Sequence, residues 1–528
     1  MKHLKKGIAI LMAVTLIFTI TSCGKKSAGG GEVIFNIATT QGHDTLNFFT
    51  TESDMVNDWL NICYDALIAY DEDYNAVPRA AKDWDVSDDG KTWTFHLRDD
   101  IYFNDGEQLT SADVKWTYEH AADSYMYSTH AEGFKSIECP DDFTIVFQCE
   151  EGKADMLYQS IPILPEHIWA GEEDIFSFES DNLVGSGPFI YSAERSGNGS
   201  VAFVKNENYW GTVPNLDVLV FTEYDNGDAM AQAIKLGEVD GCYLLQQEQL
   251  ETLKNEKDIE VGNYKTFDFE FIGYNMLDEL LSDKTIRHAL DYCADKERII
   301  EMSYSGQALP AYGPVNNEGY IYEPEVKRDG DIEQAKKLLD QAGYVDSDGD
   351  GIREKDGKPL SFELITASER SAWQSATVNI LIDNCEKAGI EIKWNPLEMT
   401  TMWDTCYDGS KDWQMYIDGW GGDADPGFIL CLFEDWEKGG YAGVSYQNPE
   451  FDKYYSLVKT TVDVEKRAAY IEKCQEILYE DCPYTFLCLS ERVQAVNTAK
   501  WKNLKANSMG FFGNGLNDNY CNVAPADQ

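Results

Sequence analysis

The segment Asp418-Gly-Trp-Gly-Gly-Asp-Ala-Asp-Pro426 places three carboxylates, three glycines and one indole in nine residues. Glycines let a ligand approach the backbone closely, which makes Gly422 a candidate contact. Trp420 is suited to wall a pocket, and Asp423 and Asp425 to meet a polar ligand. The competing reading makes Asp423 a cap for the next helix, beside Pro426, and Trp420 a core residue. A second cluster, Asp346-Ser-Asp-Gly-Asp-Gly351, resembles half a calcium loop. Asp346, Asp348 and Asp350 stand at loop positions one, three and five, with Gly351 at six. Gly357 occupies position twelve, where a bidentate glutamate is needed. A structural turn is the expected role, with calcium as a weak candidate and no other cofactor.

Catalytic signatures are missing. The sequence contains no H-E-x-x-H, no G-x-S-x-G and no P-loop, and its seven histidines are scattered from His3 to His288. With 93 acidic residues, chance carboxylate pairs are inevitable, so a secreted hydrolase stays as a remote alternative. The expectation is a binding protein rather than an enzyme.

The elements that must position these residues follow from hydrophobic spacing. Residues 33–38 read as a strand and 54–70 as a helix. Lys91–Arg98 alternates like a half-buried strand after an Asp88-Asp89-Gly90 turn. Thr110 or Ser111 caps a helix whose first turn holds Asp113. Beyond 280, helices are expected at 284–302, 331–342, 371–388 and 464–480. Strands are expected at Leu360–Leu364, Ile390–Trp394 and Gln414–Ile417. This alternation predicts an α/β fold with a largely parallel sheet. The Asp418–Pro426 segment then lies in a strand-to-helix loop, where such folds place ligand sites.

The chain has 528 residues and a formal net charge of −50, with acids outnumbering bases 93 to 43. That field repels a phosphate backbone, which excludes nucleic-acid binding as a main function. Hydrophobic residues at 43% and aromatics at 13% exclude acidic disorder. Three lysines and the apolar run 7–20 form a secretory signal, too short to span a bilayer. Ile20-Thr-Ser-Cys23 resembles a lipoprotein lipobox, with Cys23 the lipidated residue. The following Gly/Ser/Lys stretch reads as a tether. The 12 other cysteines lack close pairs and are expected to be small buried hydrophobes. Cys139 and Cys149 flank a hairpin whose register would set Cys139 against Phe143.

Several collinear stretches resemble one family. They include Val77-Pro-Arg-Ala-Ala-Lys-Asp-Trp84, Phe103-Asn-Asp-Gly-Glu-Gln-Leu-Thr-Ser-Ala-Asp-Val114, Val184-Gly-Ser-Gly-Pro-Phe189, Lys205-Asn-Glu-Asn-Tyr-Trp210 and Ala335-Lys-Lys-Leu-Leu-Asp-Gln-Ala-Gly-Tyr344. The resemblance is to the family 5 extracellular solute-binding proteins, the oligopeptide- and dipeptide-binding lipoproteins of peptide-type ABC importers. It implies a two-lobed, periplasmic-binding-protein-like clamshell (type II, peptide-binding cluster) with an extra small α+β domain. The implied division is a signal at 1–22 and an anchor and tether at 23–32. Lobe one is 33–70 with 182–276 and 489–528, the extra domain 71–181, and lobe two 277–488.

The implied function is capture of di- to oligopeptides between the lobes and delivery to a membrane permease. The protein would be a monomer held by lipid on the outer face of the cytoplasmic membrane or in the periplasm. An oligosaccharide or a nickel chelate is the alternative ligand. By the same resemblance Asp423 holds a ligand's α-ammonium, with Asp425 in contention, and Arg370 clamps a ligand carboxylate. Thr50–Ser53 would face the cleft.

Overall fold

Two long strands, Ile259–Tyr274 and Tyr484–Asn497, organise the chain. The computed structural model describes residues 31–527, except 72, 73, 180–182, 408, 410, 411, 439, 508 and 514–516. The signal segment, Cys23 and the tether through residue 30 lie outside the described residues. No described helix is long and apolar enough to cross a membrane.

The two strands pair antiparallel in two stretches. Ile259–Lys265 lies against Glu491–Asn497, and Phe269–Gly273 against Tyr484–Leu489, with a register shift between Lys265 and Phe269. Both belong to one eleven-stranded sheet. Its order is Glu391–Leu397, Ser361–Ala367, Met415–Trp420, Ile259–Tyr274, Tyr484–Asn497, Gly241–Leu245, Ile34–Thr39, Val218–Glu223, Ser200–Lys205 and Phe189–Tyr191, with Ala308–Pro310 added beside Tyr484–Asn497.

Hydrophobic burial divides this sheet in two. One pair of cores, built on residues such as Phe35, Trp59, Phe221 and Ile234, draws its buried members from before residue 254 or after 492. The others, built on residues such as Phe271, Tyr416, Tyr484 and Leu290, lie between 269 and 489. The result is two lobes on one sheet. A four-stranded antiparallel sheet, Ala81–Val86, Thr92–Leu97, Thr144–Cys149 and Phe134–Asp141, forms a small additional layer. Its Trp93, Phe95 and Phe147 join the first lobe's core. Thr110 caps its helix Ser111–His120: Ala112 N donates to Thr110 Oγ1, and Thr110 N donates to Asp113 at 2.8 Å.

The structure corrects several expectations. The first helix stops at Cys63 rather than Tyr70. Buried Asp65 accepts bonds from Arg79 Nε at 2.7 Å and Trp210 Nε1 at 2.8 Å, and its own N–H goes to Ser186. These partners hold the chain extended just where the helix would continue. The 284–302 helix is two, Lys284–Cys293 and Lys296–Ser303, because Asp295 caps a new start. The large sheet is mixed: Ser361–Ala367 is parallel to both its neighbours, whereas Ile259–Tyr274 is antiparallel to both of its own. Cys139 lies in a bulge between Glu138 and Asp141, and Phe134 faces Cys149. Among the described residues the twelve cysteines form no disulfide, and ten of them are buried.

Phe271 and Tyr484 stack across the two long strands with ring centroids 3.8 Å apart, both buried. Phe271→Ala is expected to destabilise the second lobe by about 3–5 kcal/mol. An unchanged denaturation midpoint would show that the cross-strand stack carries no load.

Candidate functional site

The helix Asp54–Cys63 is amphipathic for two purposes. Met55, Val56, Trp59, Leu60, Ile62 and Cys63 are buried in the lobe. Asp54, Asn57, Asp58 and Asn61, spaced i, i+3, i+4 and i+7, share the opposite face and line a cavity of about 370 Å3. An acid suits the first turn at Asp54, but like charges at i and i+4 weaken a helix, so local stability does not explain Asp58. Across the cavity lie Phe267 and Asp268, at the register shift of the long strand, and the loop Gly421–Ala424. Arg492 reaches in from the other long strand, donating from Nη1 to Tyr243 Oη at 2.7 Å with Nη2 3.9 Å from Asp268.

Asp423 therefore lies in a cavity walled by both lobes. Its carboxylate is held by His130, which projects from the short helix Ser128–Ala131 of the small layer. His130 Nε2 is 3.3 Å from Asp423 Oδ2, and Nδ1 is 3.9 Å from Asp155 Oδ2. The ring stacks on Phe428 at 5.8 Å. Lys153 Nζ is 3.0 Å from Asp155. Burial opposes a charged imidazole here, but the bonds to Asp155 and Asp423 outweigh it and raise the His130 pKa to about 10. Burial also works against Asp155, yet Lys153 and His130 hold it well below the usual carboxylate range. At Asp423 burial wins over His130, with Asp425 adding to it, and the pKa is raised.

The remaining residues of the loop have separate tasks. Asp423 Oδ1 accepts from Asp425 N at 2.6 Å, a local turn rather than a cap on an α-helix. The segment that follows is the 3-10 helix Phe428–Phe433. Asp425 is buried and pairs with buried Arg467 at 2.7 Å, which commits it to the helix Val464–Asp481. Gly422 lines the cavity, but its lack of a side chain also serves the chain itself: a Cβ there would lie 2.7 Å from Phe267 O. A similar close approach brings the small layer onto the second lobe, where a Cβ on Gly152 would lie 2.4 Å from Thr460 O.

Trp420 and Arg370 line a different cavity, of about 530 Å3, with Trp403, Tyr407 and Asp418. Arg370 is hydrogen-bonded to Asp418, whose other oxygen accepts from Trp403 Nε1 at 2.9 Å. Trp420 packs edge-on against Tyr407 and Tyr441. The strand Met415–Trp420 contains the Gly-Trp pair, which the sequence placed in the loop. Its parallel pairing with Ser361–Ala367 covers only Met415 and Tyr416. The strand Ser361–Ala367 runs on beyond that point without further ladder pairing, and Asp418 itself is buried. A third cavity, of about 800 Å3, shares Tyr74, Tyr158, Phe267 and Ala424 with the first and extends to Asn316 and Arg467.

Two other candidates fall outside these cavities. Thr50–Ser53 leads into the first helix, with Thr51 Oγ1 donating to Asp44 at 2.8 Å. In the Asp346 loop, Asp346 accepts from Gly349 N and Gly351 N, and Asp350 from Ile352 N. The carboxylates that cluster there are Asp346, Asp348 and Glu354, not Asp350. These bonds satisfy a turn. The sequence reading missed Asp54, Asp58, His130, Asp268 and Arg492. The polar i, i+3, i+4, i+7 stripe on the first helix was the available signal for the first two. The others come together only through the register of the long strands and the placement of the small layer.

Two lobes on a shared sheet, enclosing a cleft that both supply with charged groups, define a two-lobed solute-binding protein. Residues 75–440 match the family described as bacterial extracellular solute-binding proteins, family 5 Middle. Protein XP55 of Streptomyces lividans is 30% identical over 432 residues, covering 80% of this chain and 78% of that protein. The oligopeptide-binding protein AppA of Bacillus subtilis is 26% identical over 481 residues, covering 88% and 87%. The structure of NikZ from Campylobacter jejuni in complex with Ni(L-His) superposes with a TM-score of 0.76 at 25% identity, covering 93% of this chain and 99% of that one. The chain belongs to the family 5 bacterial extracellular solute-binding proteins, the ligand-binding components of ABC importers.

The His130 ion pair gives a signed pH dependence. Because the folded-state pKa is raised above the unfolded value of about 6.5, its stabilisation is fully present below that pH and is lost as pH rises through about 10. Urea midpoints measured across that window are expected to fall for the native chain and to be flatter for His130→Gln. Parallel pH profiles would remove His130 from the contact between the lobes.

Proposed function

We propose that this chain is a peptide receptor, anchored through a lipid on Cys23, that captures peptides with a free amino terminus and passes them to a permease. The observation that carries the reading is Asp423, a carboxylate within a cavity walled by both lobes. A peptide's α-ammonium entering there gains a charge-assisted bond of about 1.5–3 kcal/mol. It takes up the carboxylate that His130 holds in this structure. Among the described residues, the half-buried strand end Gly419–Trp420 has no ladder pairing on this side and suits an extended backbone adding itself as a strand, which is tolerant of side chains. Arg370, beside that edge, is the group for a carboxylate at the far end, although Asp418 already balances its charge. Movement between the lobes is placed at the register shift of residues 265–269, where the two stretches of strand pairing are separate.

The oligopeptide-binding relative supports a peptide, and the nickel–histidine complex of the structural relative makes a chelate the competing ligand. Among the described residues one histidine, His130, lines the 370 Å3 cavity, and two carboxylates engage it. That arrangement favours an ammonium over a metal chelate. Asp423→Ala is expected to weaken binding of free-amine peptides by about tenfold or more, the loss of one charge-assisted bond. N-acetylated peptides should change little. Equal losses for both sets, read by calorimetry, would refute the ammonium role, and tight binding of nickel–histidine with no peptide binding would replace the peptide reading.

A further inference from the structure

We infer that Arg492 reads the carbonyl oxygen of the ligand's first peptide bond, an inference that rests on the peptide reading above. One aminoacyl unit is then held at its ammonium by Asp423 and at its carbonyl by Arg492. The argument begins with an unspent donor. Arg492 lines the same 370 Å3 cavity as Asp423. Its Nη1 donates to Tyr243 Oη at 2.7 Å, and that hydroxyl donates on to Asp58 at 3.3 Å. Nη2 stands 3.9 Å from Asp268 Oδ2, beyond hydrogen-bond distance. Nε is buried and has no hydrogen-bond partner among the described residues. A guanidinium N–H in that position is costly, because its hydration is lost and not replaced.

What Arg492 lacks is an acceptor, not a countercharge. Burial disfavours its charged form, but Tyr243, Asp268, Asp58 and Asp54 outweigh burial and raise its pKa. A ligand carboxylate at Nε would stand against those three acids. A neutral carbonyl oxygen satisfies the N–H without adding charge. Arg370 differs in both respects: Asp418 pairs with it, and it lines a separate cavity.

Asp268 brings the two ends of this clamp together. Its Oδ1 lies at the loop that carries Asp423, where a Cβ on Gly421 would meet it at 3.4 Å. Its Oδ2 is the atom beside Arg492. One carboxylate thus lies between the loop and the guanidinium. In a peptide, the α-nitrogen and the first carbonyl oxygen are separated only by the α-carbon and the carbonyl carbon. The groups that hold them must therefore lie close in the cleft, as Asp268 between them provides. The two groups also belong to different lobes. Asp423 is in the second, whereas Arg492 is bonded to Tyr243 and followed by Val493, both in the cores of the first. A first residue held at both points favours the closed arrangement by its differential affinity for it.

The test is a double-mutant cycle between ligand and protein, read by calorimetry on the purified chain. The ligands are tri-alanine and penta-alanine, each also made with its first peptide bond replaced by an ester or by an (E)-alkene. The ester lacks only the N–H, whereas the alkene lacks the carbonyl oxygen as well, and both keep the ammonium. The alkenes are expected to bind the native chain about tenfold or more weaker than the esters, the loss of one charge-assisted bond. Arg492→Lys keeps the charge and loses Nε. It should weaken the parent peptides about tenfold and the alkenes about twofold or less. An unchanged melting profile shows that this variant is folded, and the ester–alkene comparison on the native chain does not depend on it. Alkenes that bind as tightly as esters, or equal losses for parent and alkene in Arg492→Lys, would overturn the role of Arg492 and leave the peptide reading standing. Binding of neither parent peptide to the native chain would overturn the peptide reading and this inference together.

Discussion

The broken pairing of Ile259–Tyr274 with Tyr484–Asn497 is the constraint on which the rest of the structure depends. Each long strand belongs to both lobes, and the register shift between Lys265 and Phe269 is where one set of backbone bonds ends and the next begins. Backbone groups released by that shift need partners. Asn316 supplies one set, with Nδ2 donating to Asp268 O at 3.1 Å and Ser490 O at 3.3 Å. Phe267 and Asp268 face the cleft because they lie in the shift. Gly422 is a glycine at the point where its loop crosses them. The site is thus assembled on the element that both lobes share, and a movement at this point changes the distances between Asp268, Arg492 and Asp423 together.

Legibility in the sequence followed the range of the interactions. The helices Ile332–Ala342, Ser371–Ala388 and Val464–Asp481 were readable because their apolar spacing and caps are local. The first helix was read too long because Asp65 is held by Arg79, Ser186, Tyr209 and Trp210, and three of those four lie more than 100 residues away. The long strands were not read, since Ile259–Tyr274 mixes half-buried and buried positions without clean alternation. Asp423 was legible because glycines and a tryptophan mark its loop. His130 was not: nothing around Ser128–Ala131 announces that its ring bridges two carboxylates, one of them nearly 300 residues later.

The contact between the small layer and the second lobe gives this layer a mechanical role. His130 lies on it, beside Asp155 and Lys153, and meets Asp423 across the cleft. Arg467 of the second lobe lies 5.3 Å over Tyr158 of the same layer, while its guanidinium pairs with Asp425. Charged groups thus bridge the lobes at two neighbouring points, one ending at Asp423 and one at Asp425. The acid two residues beyond the candidate ligand carboxylate fixes the loop to its own lobe, which leaves Asp423 positioned but exchangeable. Removing one member of such a buried pair costs more than the pair contributes, because the other is left without compensation. A ligand ammonium that replaces His130 must therefore leave the imidazolium beside Asp155, where it keeps one of its two partners.

The acidity of the whole chain and that of the cleft act at different distances. A net charge of −50 produces a field that reaches beyond the surface and favours approach of cations, but it is screened within about 8 Å at physiological salt. That field sets the rate at which cations arrive and discriminates little among them. Selection requires charges shielded from salt, and in the cavity between the lobes Asp423, 27% exposed, is better shielded than Asp268, 41% exposed, or the exposed Asp54.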